Sequence, residues 1–150
     1  MAIHRRHLPH WQVDGGIYFI TFRVRQGTPA LSAEERRIVL EVILKGMEVH
    51  FQLASAVVML DHVHLLLRPR SSVELSRIMK GIKGASARRI NQHRGTSQQS
   101  VWQDESWDRI VRDDVEFGQK LEYTHWNPAK AGLVKADEVY PFWFLNRDFL

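Results

Sequence analysis

The chain has 150 residues, 44% hydrophobic and 25% charged, enough for one domain with a core of its own. Its formal net charge of +4 suits a polyanionic partner, though many soluble proteins share that balance. It has no cysteine, which excludes disulfides, Cys-ligated zinc and thiol nucleophiles.

Residues 1–16 read as a basic arm, with Arg5 and Arg6 beside His4, His7 and His10 and a turn at Asp14-Gly15-Gly16. No apolar stretch follows Met1 to His10, so a secretory signal is not expected, and no apolar run approaches the ~20 residues of a membrane helix. Ile17 to Val24 predicts a strand with Tyr18, Ile20, Phe22 and Val24 on one face. Ser32 and Glu35 form a capping-box pattern ahead of Ile38, Val39, Val42, Ile43 and Met47, which predicts a first helix. Leu53 to Leu60 and His62 to Leu67 read as strands joined by a tight turn near Asp61. Ser71 and Glu74 form a second capping box, opening a helix with Leu75, Ile78, Met79 and Ile82 as its apolar stripe and Gln92 near its end. Residues 94–100 are a polar loop, and Trp107 to Val111 predicts a fourth strand. Asp113 and Glu116 form a third capping box. The helix they open runs to about Asn127, where Pro128 stops or kinks it, and Gly132 caps the turn that follows. The aromatic segment Tyr140 to Leu150 is expected to pack back on the body.

The order β-α-β-β-α-β, then α, predicts an α+β fold: a ferredoxin-like antiparallel sheet with helices on one face, plus a C-terminal helix. One domain over residues 1–150 is expected. The fold hosts many functions and argues none by itself.

Two constellations carry chemistry. Successive strand residues point to opposite faces, so His62 and His64 project side by side from one face, while Val63, Leu65 and Leu67 point away. Two imidazoles so placed can clasp a cation, with Asp61 at the preceding turn as an acceptor that orients one ring. They can equally be two unrelated histidines on a solvated face. On the last helix Glu116, Gln119, Lys120, Tyr123 and Asn127 recur at three- and four-residue steps and share a polar face. A tyrosine displayed there can act as a covalent nucleophile if a neighbour lowers its pKa. Alternatively Tyr123 packs at the core edge and Asn127 caps the turn at Pro128.

Taken together, these segments resemble a known family. Val58-Met59-Leu60-Asp61-His62-Val63-His64-Leu65-Leu66-Leu67 resembles the HUH motif of single-tyrosine transposases. Tyr123-Thr124-His125-Trp126-Asn127-Pro128-Ala129-Lys130-Ala131-Gly132-Leu133-Val134 resembles their nucleophile segment. The intervening Trp102-Gln103 and Trp107-Asp108-Arg109 match as well. Leu8-Pro9-His10-Trp11 and Tyr18-Phe19-Ile20-Thr21-Phe22 are similar to the branch of REP-associated tyrosine transposases. The resemblance implies that His62 and His64 bind Mg²⁺ or Mn²⁺ with Asn127 as third protein ligand. It also implies that Tyr123 attacks a phosphate of single-stranded DNA, leaving a 5′-phosphotyrosine and a free 3′-OH. A second 3′-OH then resolves the intermediate without ATP. Related insertion-sequence enzymes carry Gln where Asn127 stands and share sites across a dimer, whereas the REP-associated branch is often monomeric. One departure stands out: Leu60 replaces the usual Pro before Asp61.

The resemblance further implies a cytoplasmic, DNA-associated protein, monomeric or homodimeric, acting on single-stranded or hairpin DNA. Arg77, Lys80, Lys83, Arg88 and Arg89 on the second helix form a basic ridge for phosphates, or simply a solvated face. Arg5 and Arg6 of the arm and Lys130 of the nucleophile segment are further candidates for DNA contact. Trp102, Trp107 and Trp126 are candidate base-stacking platforms or core residues. A non-catalytic nucleic-acid-binding module on the same fold is the competing reading. A tandem-histidine phosphoesterase would need a second His-x-Thr or His-x-Ser motif, which His50 and His93 do not supply.

Overall fold

The computed structural model describes residues 13–149 and, ahead of them, the backbone of His4–Arg5. Its elements are β1 (His4–Arg5), β2 (Tyr18–Val24), α1 (Ala33–Met47), β3 (Phe51–Val58), β4 (His62–Pro69), α2 (Leu75–Arg94), β5 (Trp102–Ile110), α3 (Asp114–Lys130) and β6 (Trp143–Leu145). They form a six-stranded sheet of order β1-β5-β2-β4-β3-β6, with antiparallel pairing throughout. β4 lies between β2 and β3, and β5 lies outside β2, which is the ferredoxin-like arrangement expected from the element order. Among the described residues no helix is long and apolar enough to cross a membrane.

Strand alternation gives the sheet two different faces. Tyr18, Ile20, Phe22 and Val24 of β2 and Val63, Leu65 and Leu67 of β4 form the main core with Ile38, Val39 and Ile43 of α1 and Ile78, Ile82 and Ile90 of α2. Phe19, Ala54 and Leu66 face the other way and are covered by Phe117 of α3. The helices therefore divide between the faces, with α1 and α2 on one and α3 on the other. The aromatic C-terminal segment packs back through β6, which pairs with β3. The Tyr140 hydroxyl donates to the Val58 carbonyl at 2.6 Å.

Most element ends follow local capping chemistry, and four differ from the sequence pattern. α1 has the full capping box, Ser32 Oγ accepting from Glu35 N–H and the Glu35 carboxylate from Ser32 N–H. The box at Ser71 and Glu74 does not form. Ser72 adopts a left-handed conformation (φ 67°) that turns the chain between them. Glu74 becomes the N-cap without a side-chain bond, and α2 continues to Arg94, where Gly95 (φ 71°) caps it. β5 starts at Trp102 rather than Trp107, because its first part runs through an irregularity opposite Phe22 and Val24 that hides the alternation. At α3, Asp113 accepts from Glu116 N–H, but the Glu116 carboxylate accepts from Arg112 N–H and the Arg109 guanidinium instead of Asp113.

The fourth difference bears on the site. α3 does not stop at Asn127. It runs through Pro128 to Lys130, so Asn127 is inside the helix. Proline there removes one N–H from the final turns. The end is still closed by Ala131 N–H to Asn127 C=O at 3.0 Å and Leu133 N–H to Pro128 C=O at 2.9 Å, with Gly132 left-handed (φ 79°).

α3 is pinned to the sheet one residue after Tyr123. Thr124 is fully buried and its Oγ1 donates to the Leu121 carbonyl at 2.8 Å, so the buried Ser55 hydroxyl donates to it at 3.1 Å. Thr124→Val keeps the volume but leaves Ser55 without that acceptor, an expected loss of about 1–3 kcal/mol. Combining it with Ser55→Ala should recover part of the loss, since both partners are then apolar. Urea unfolding of the two single variants and the double variant tests this, and equal or additive losses would contradict the bond.

Candidate active site on the α3 face of the sheet

His62 opens β4 directly after the β3–β4 turn. Met59 N–H bonds the His62 carbonyl at 2.8 Å, Leu31 N–H the Leu60 carbonyl at 2.7 Å, and Val24 N–H the Asp61 carbonyl at 2.8 Å. Three backbone bonds thus fix the turn although Leu60 brings none of the rigidity of proline. Asp61 accepts from His62 Nδ1 at 2.7 Å, and that hydrogen bond holds the Asp61 carboxyl below its ordinary pKa.

His64 lies two residues along the same face, its ring centroid 4.8 Å from that of His62. It is opposite Thr21, which in turn is opposite Trp107 on β5. Thr21 Oγ1 and His64 Nδ1 are 2.8 Å apart. The His64 ring is only 4% exposed, stacks on Phe19 at 5.3 Å and meets Tyr123 edge-on at 5.1 Å. Burial, reinforced by the nearby His62, Arg23 and Lys120, pushes its pKa down to about 3. The imidazole is therefore neutral near pH 7. Its Nε2 is buried without a hydrogen-bond partner.

α3 brings Tyr123 to this spot. Its side chain is 45% exposed and also meets Phe19 edge-on at 5.9 Å. One turn earlier Lys120 Nζ lies 4.7 Å from the Phe19 ring centroid. A cleft of about 430 Å³ lined by Phe19, Thr21, Arg23, His64, Trp107, Lys120 and Tyr123 opens beside them.

The donor set fits a divalent cation. In both histidines Nδ1 is engaged, by Asp61 and by Thr21. With Nδ1–H donating, each ring keeps an Nε2 lone pair, the arrangement found in metal-ligating histidines. The unpartnered Nε2 of His64 is the atom such an ion would satisfy. Among the described residues no three His, Cys, Asp or Glu side chains are grouped to hold a metal. A third protein donor would thus be another kind of group, and Asn127, half-buried one turn beyond Tyr123, offers a carboxamide oxygen.

The structure separates the remaining candidates. α2 covers the face opposite the histidines, because Ile78, Ile82 and Ile90 pack on the Val63 and Leu65 side. Arg77, Lys80 and Arg88 are exposed there, away from the cleft. Arg89 bonds Glu41 at 2.9 Å. Lys83 is not a free member of a ridge: its Nζ donates to the carbonyls of Gln103, Asp104 and Glu105 at 2.8–3.2 Å, holding the irregular start of β5. Lys130 is exposed at the end of α3. The side chain of Arg5 and all of Arg6 lie outside the described residues, as does Leu8-Pro9-His10-Trp11. Trp102 is buried and bonds Ser86 Oγ at 2.9 Å, Trp107 lines the cleft, and Trp126 is exposed.

Sequence reasoning missed Phe19, Thr21 and Arg23 as site residues and placed Lys120 only on a polar helix face. The alternation that sends Tyr18, Ile20 and Phe22 to the core sends these three to the other face. Their approach to His64 depends on the β2–β4 register, which pairs Thr21 with His64 and Arg23 with His62.

The buried His64 couples stability to pH. Its pKa is about 6.5 in the unfolded chain and about 3 in the fold. The unfolded chain thus takes up the proton first. The contribution to stability is complete above about pH 6.5 and is lost progressively as pH falls toward 3, by at most about 1.4 kcal/mol per pH unit. Urea midpoints measured with EDTA at pH 7 and pH 5 should drop in the parent and drop less in His64→Gln. Equal drops would contradict the assignment.

Comparison with known proteins adds four findings. The family model described as "Transposase IS200 like" matches residues 13–111, from before β2 through β5, which include His62 and His64. The REP-associated tyrosine transposase of Escherichia coli (strain K12) is 24% identical over 140 residues, covering 92% of this chain and 81% of that protein. A Haemophilus influenzae protein is 24% identical over 144 residues, covering 89% and 82%. A solved structure of a REP-associated tyrosine transposase bound to a REP hairpin superposes with a TM-score of 0.70 at 21% identity, covering 93% of this chain and 90% of that one.

Proposed function

Because the chain belongs to the IS200-like transposase family, with REP-associated tyrosine transposases among its relatives, we propose that it cleaves and rejoins single-stranded DNA with Tyr123 as nucleophile. The observation that carries this reading is the meeting of two elements from different parts of the chain: the His64 and Tyr123 rings are 5.1 Å apart at an open cleft. Nothing in core packing alone requires an exposed tyrosine there.

Tyr123 Oη attacks the scissile phosphorus. A new P–O(tyrosine) bond forms, the P–O3′ bond breaks, and the released 3′-oxygen takes up a proton while the phenol gives its own to solvent. The product is a 5′-phosphotyrosine and a free 3′-OH. A second strand's 3′-OH then attacks the same phosphorus and Tyr123 departs as a phenol. One phosphodiester is exchanged for another, so no nucleotide cofactor is consumed. His62, His64 and Asn127 would hold Mg²⁺ or Mn²⁺, which when bound supplies Lewis-acid polarisation of the phosphate. Asp61 and Thr21 fix the two imidazoles, and Thr124 holds the α3 turn that carries Tyr123.

Hairpin-containing DNA is the proposed substrate, by analogy with the REP hairpin in the related solved structure. The protein would act in the cytoplasm as a monomer or homodimer. Exposed cations such as Lys130 are available for sequence-independent phosphate contacts.

The test is a cleavage assay on end-labelled hairpin DNA with single-stranded flanks, with Mg²⁺ or Mn²⁺. The parent should leave a denaturant-resistant protein–DNA adduct, and Tyr123→Phe should leave none. EDTA should abolish cleavage. Asp61→Ala and Thr21→Val should raise the metal concentration needed by roughly 10–100-fold. Cleavage by Tyr123→Phe at the parent rate would remove the nucleophile. DNA binding with no cleavage or metal dependence in the parent would favour a non-catalytic binding module.

A further inference from the structure

Lys120 is an ammonium in an unusual position. It is half-buried on α3, one turn before Tyr123, with its Nζ 4.7 Å from the Phe19 ring centroid. The carboxylate one turn earlier on the same helix face, Glu116, neutralises it only in part. One Glu116 oxygen accepts from Arg109 at 2.8 Å and the other from Arg112 N–H at 3.0 Å. Burial and the positive Arg109 both work against the charge on Lys120, and Glu116 offsets them only in part. Among the described residues no acid lines the cleft that Lys120 faces, whereas Arg23 and the aromatic Trp107 do. A partly desolvated cation set over a ring face, whose neighbouring carboxylate is already engaged by Arg109 and the Arg112 N–H, is matched by an anion arriving from solvent.

On the reading of the site proposed above, we propose that Lys120 is a substrate-phosphate ligand, holding a non-bridging oxygen of single-stranded DNA in the cleft beside Tyr123. The cleft volume of about 430 Å³ is on the scale of one nucleotide, with Lys120, Arg23 and Trp107 all on its lining. Phosphate binding one turn from Tyr123 would bring the reacting phosphorus within reach of the phenol. A structural role, in which Lys120 merely covers Phe19, predicts something different: methionine would replace it without effect on DNA.

The experiment is fluorescence anisotropy with a labelled short oligothymidylate across a series of salt concentrations, using Tyr123→Phe as background so that no cleavage intervenes. Lys120→Met should weaken binding about five- to tenfold at low salt. It should also reduce the slope of log K against log salt by about 0.7, the loss of one phosphate contact on a single strand. Lys120→Arg should restore both within about twofold. Arg77→Met, on the far face, should leave the slope unchanged. An unchanged slope in Lys120→Met overturns the assignment, as does an equal effect from Arg77→Met. Loss of binding that Lys120→Arg fails to rescue also counts against it. Because this readout is binding alone, it is independent of whether Tyr123 proves to be the nucleophile.

Discussion

The β2–β4 register is the constraint on which the rest of this structure depends. β4 is a central strand, and its alternation assigns every second residue to one of two layers. Val63, Leu65 and Leu67 join the core beneath α1 and α2. His64 and Leu66 face α3. A slip of one residue would send the histidines into the α1–α2 core and three aliphatic side chains to the α3 face. The apolar content of the core face therefore fixes where the polar site must be. The backbone bonds from Val24 and Leu31 into the β3–β4 turn hold the same register at its end.

That arrangement also explains how a histidine is kept neutral in a basic protein. His64 is enclosed by Phe19, Tyr123 and its strand neighbours, so charging it would take an imidazolium out of water without a counter-ion. Thr21 supplies one hydrogen bond and leaves the other nitrogen unpartnered. His62, at the rim, has the Asp61 carboxylate instead. The two adjacent imidazoles thus sit in different electrostatic settings, one buried and one half-open, while both present the same ring nitrogen. The packing that depresses the pKa of His64 also holds the Tyr123 ring against it.

Basic residues divide by layer as well. The second helix looks like a DNA-binding ridge when its charges are read along the sequence. In the structure it backs the wrong side of the sheet for the cleft, and Lys83 is spent on the carbonyls at the start of β5. The cations that do line the cleft, Arg23 and Lys120, come from two elements nearly a hundred residues apart. Arg77, Lys80, Arg88 and Arg89 do stay together in space, beside Lys45 of α1, but on the sheet face opposite the cleft, because helix packing rather than charge decides which face an element covers.

The sequence by itself did not determine the edge strands β1 and β6, but it did determine the order of the seven central elements from β2 to α3, the ferredoxin-like fold and the shared face of His62 and His64. Those follow from periodicities of two and 3.6 residues, which are local properties of the chain. It also carried the two motif segments on which the family resemblance rests. Only the tertiary structure decided what surrounds them. The role of Lys83 depends on the carbonyls of another element, at the start of β5. The site itself also depends on other elements: Phe19, Thr21 and Arg23 meet His64 and Tyr123 through strand register and the docking of α3. Those are long-range pairings, and no local pattern encodes which residue a strand will face across its neighbour.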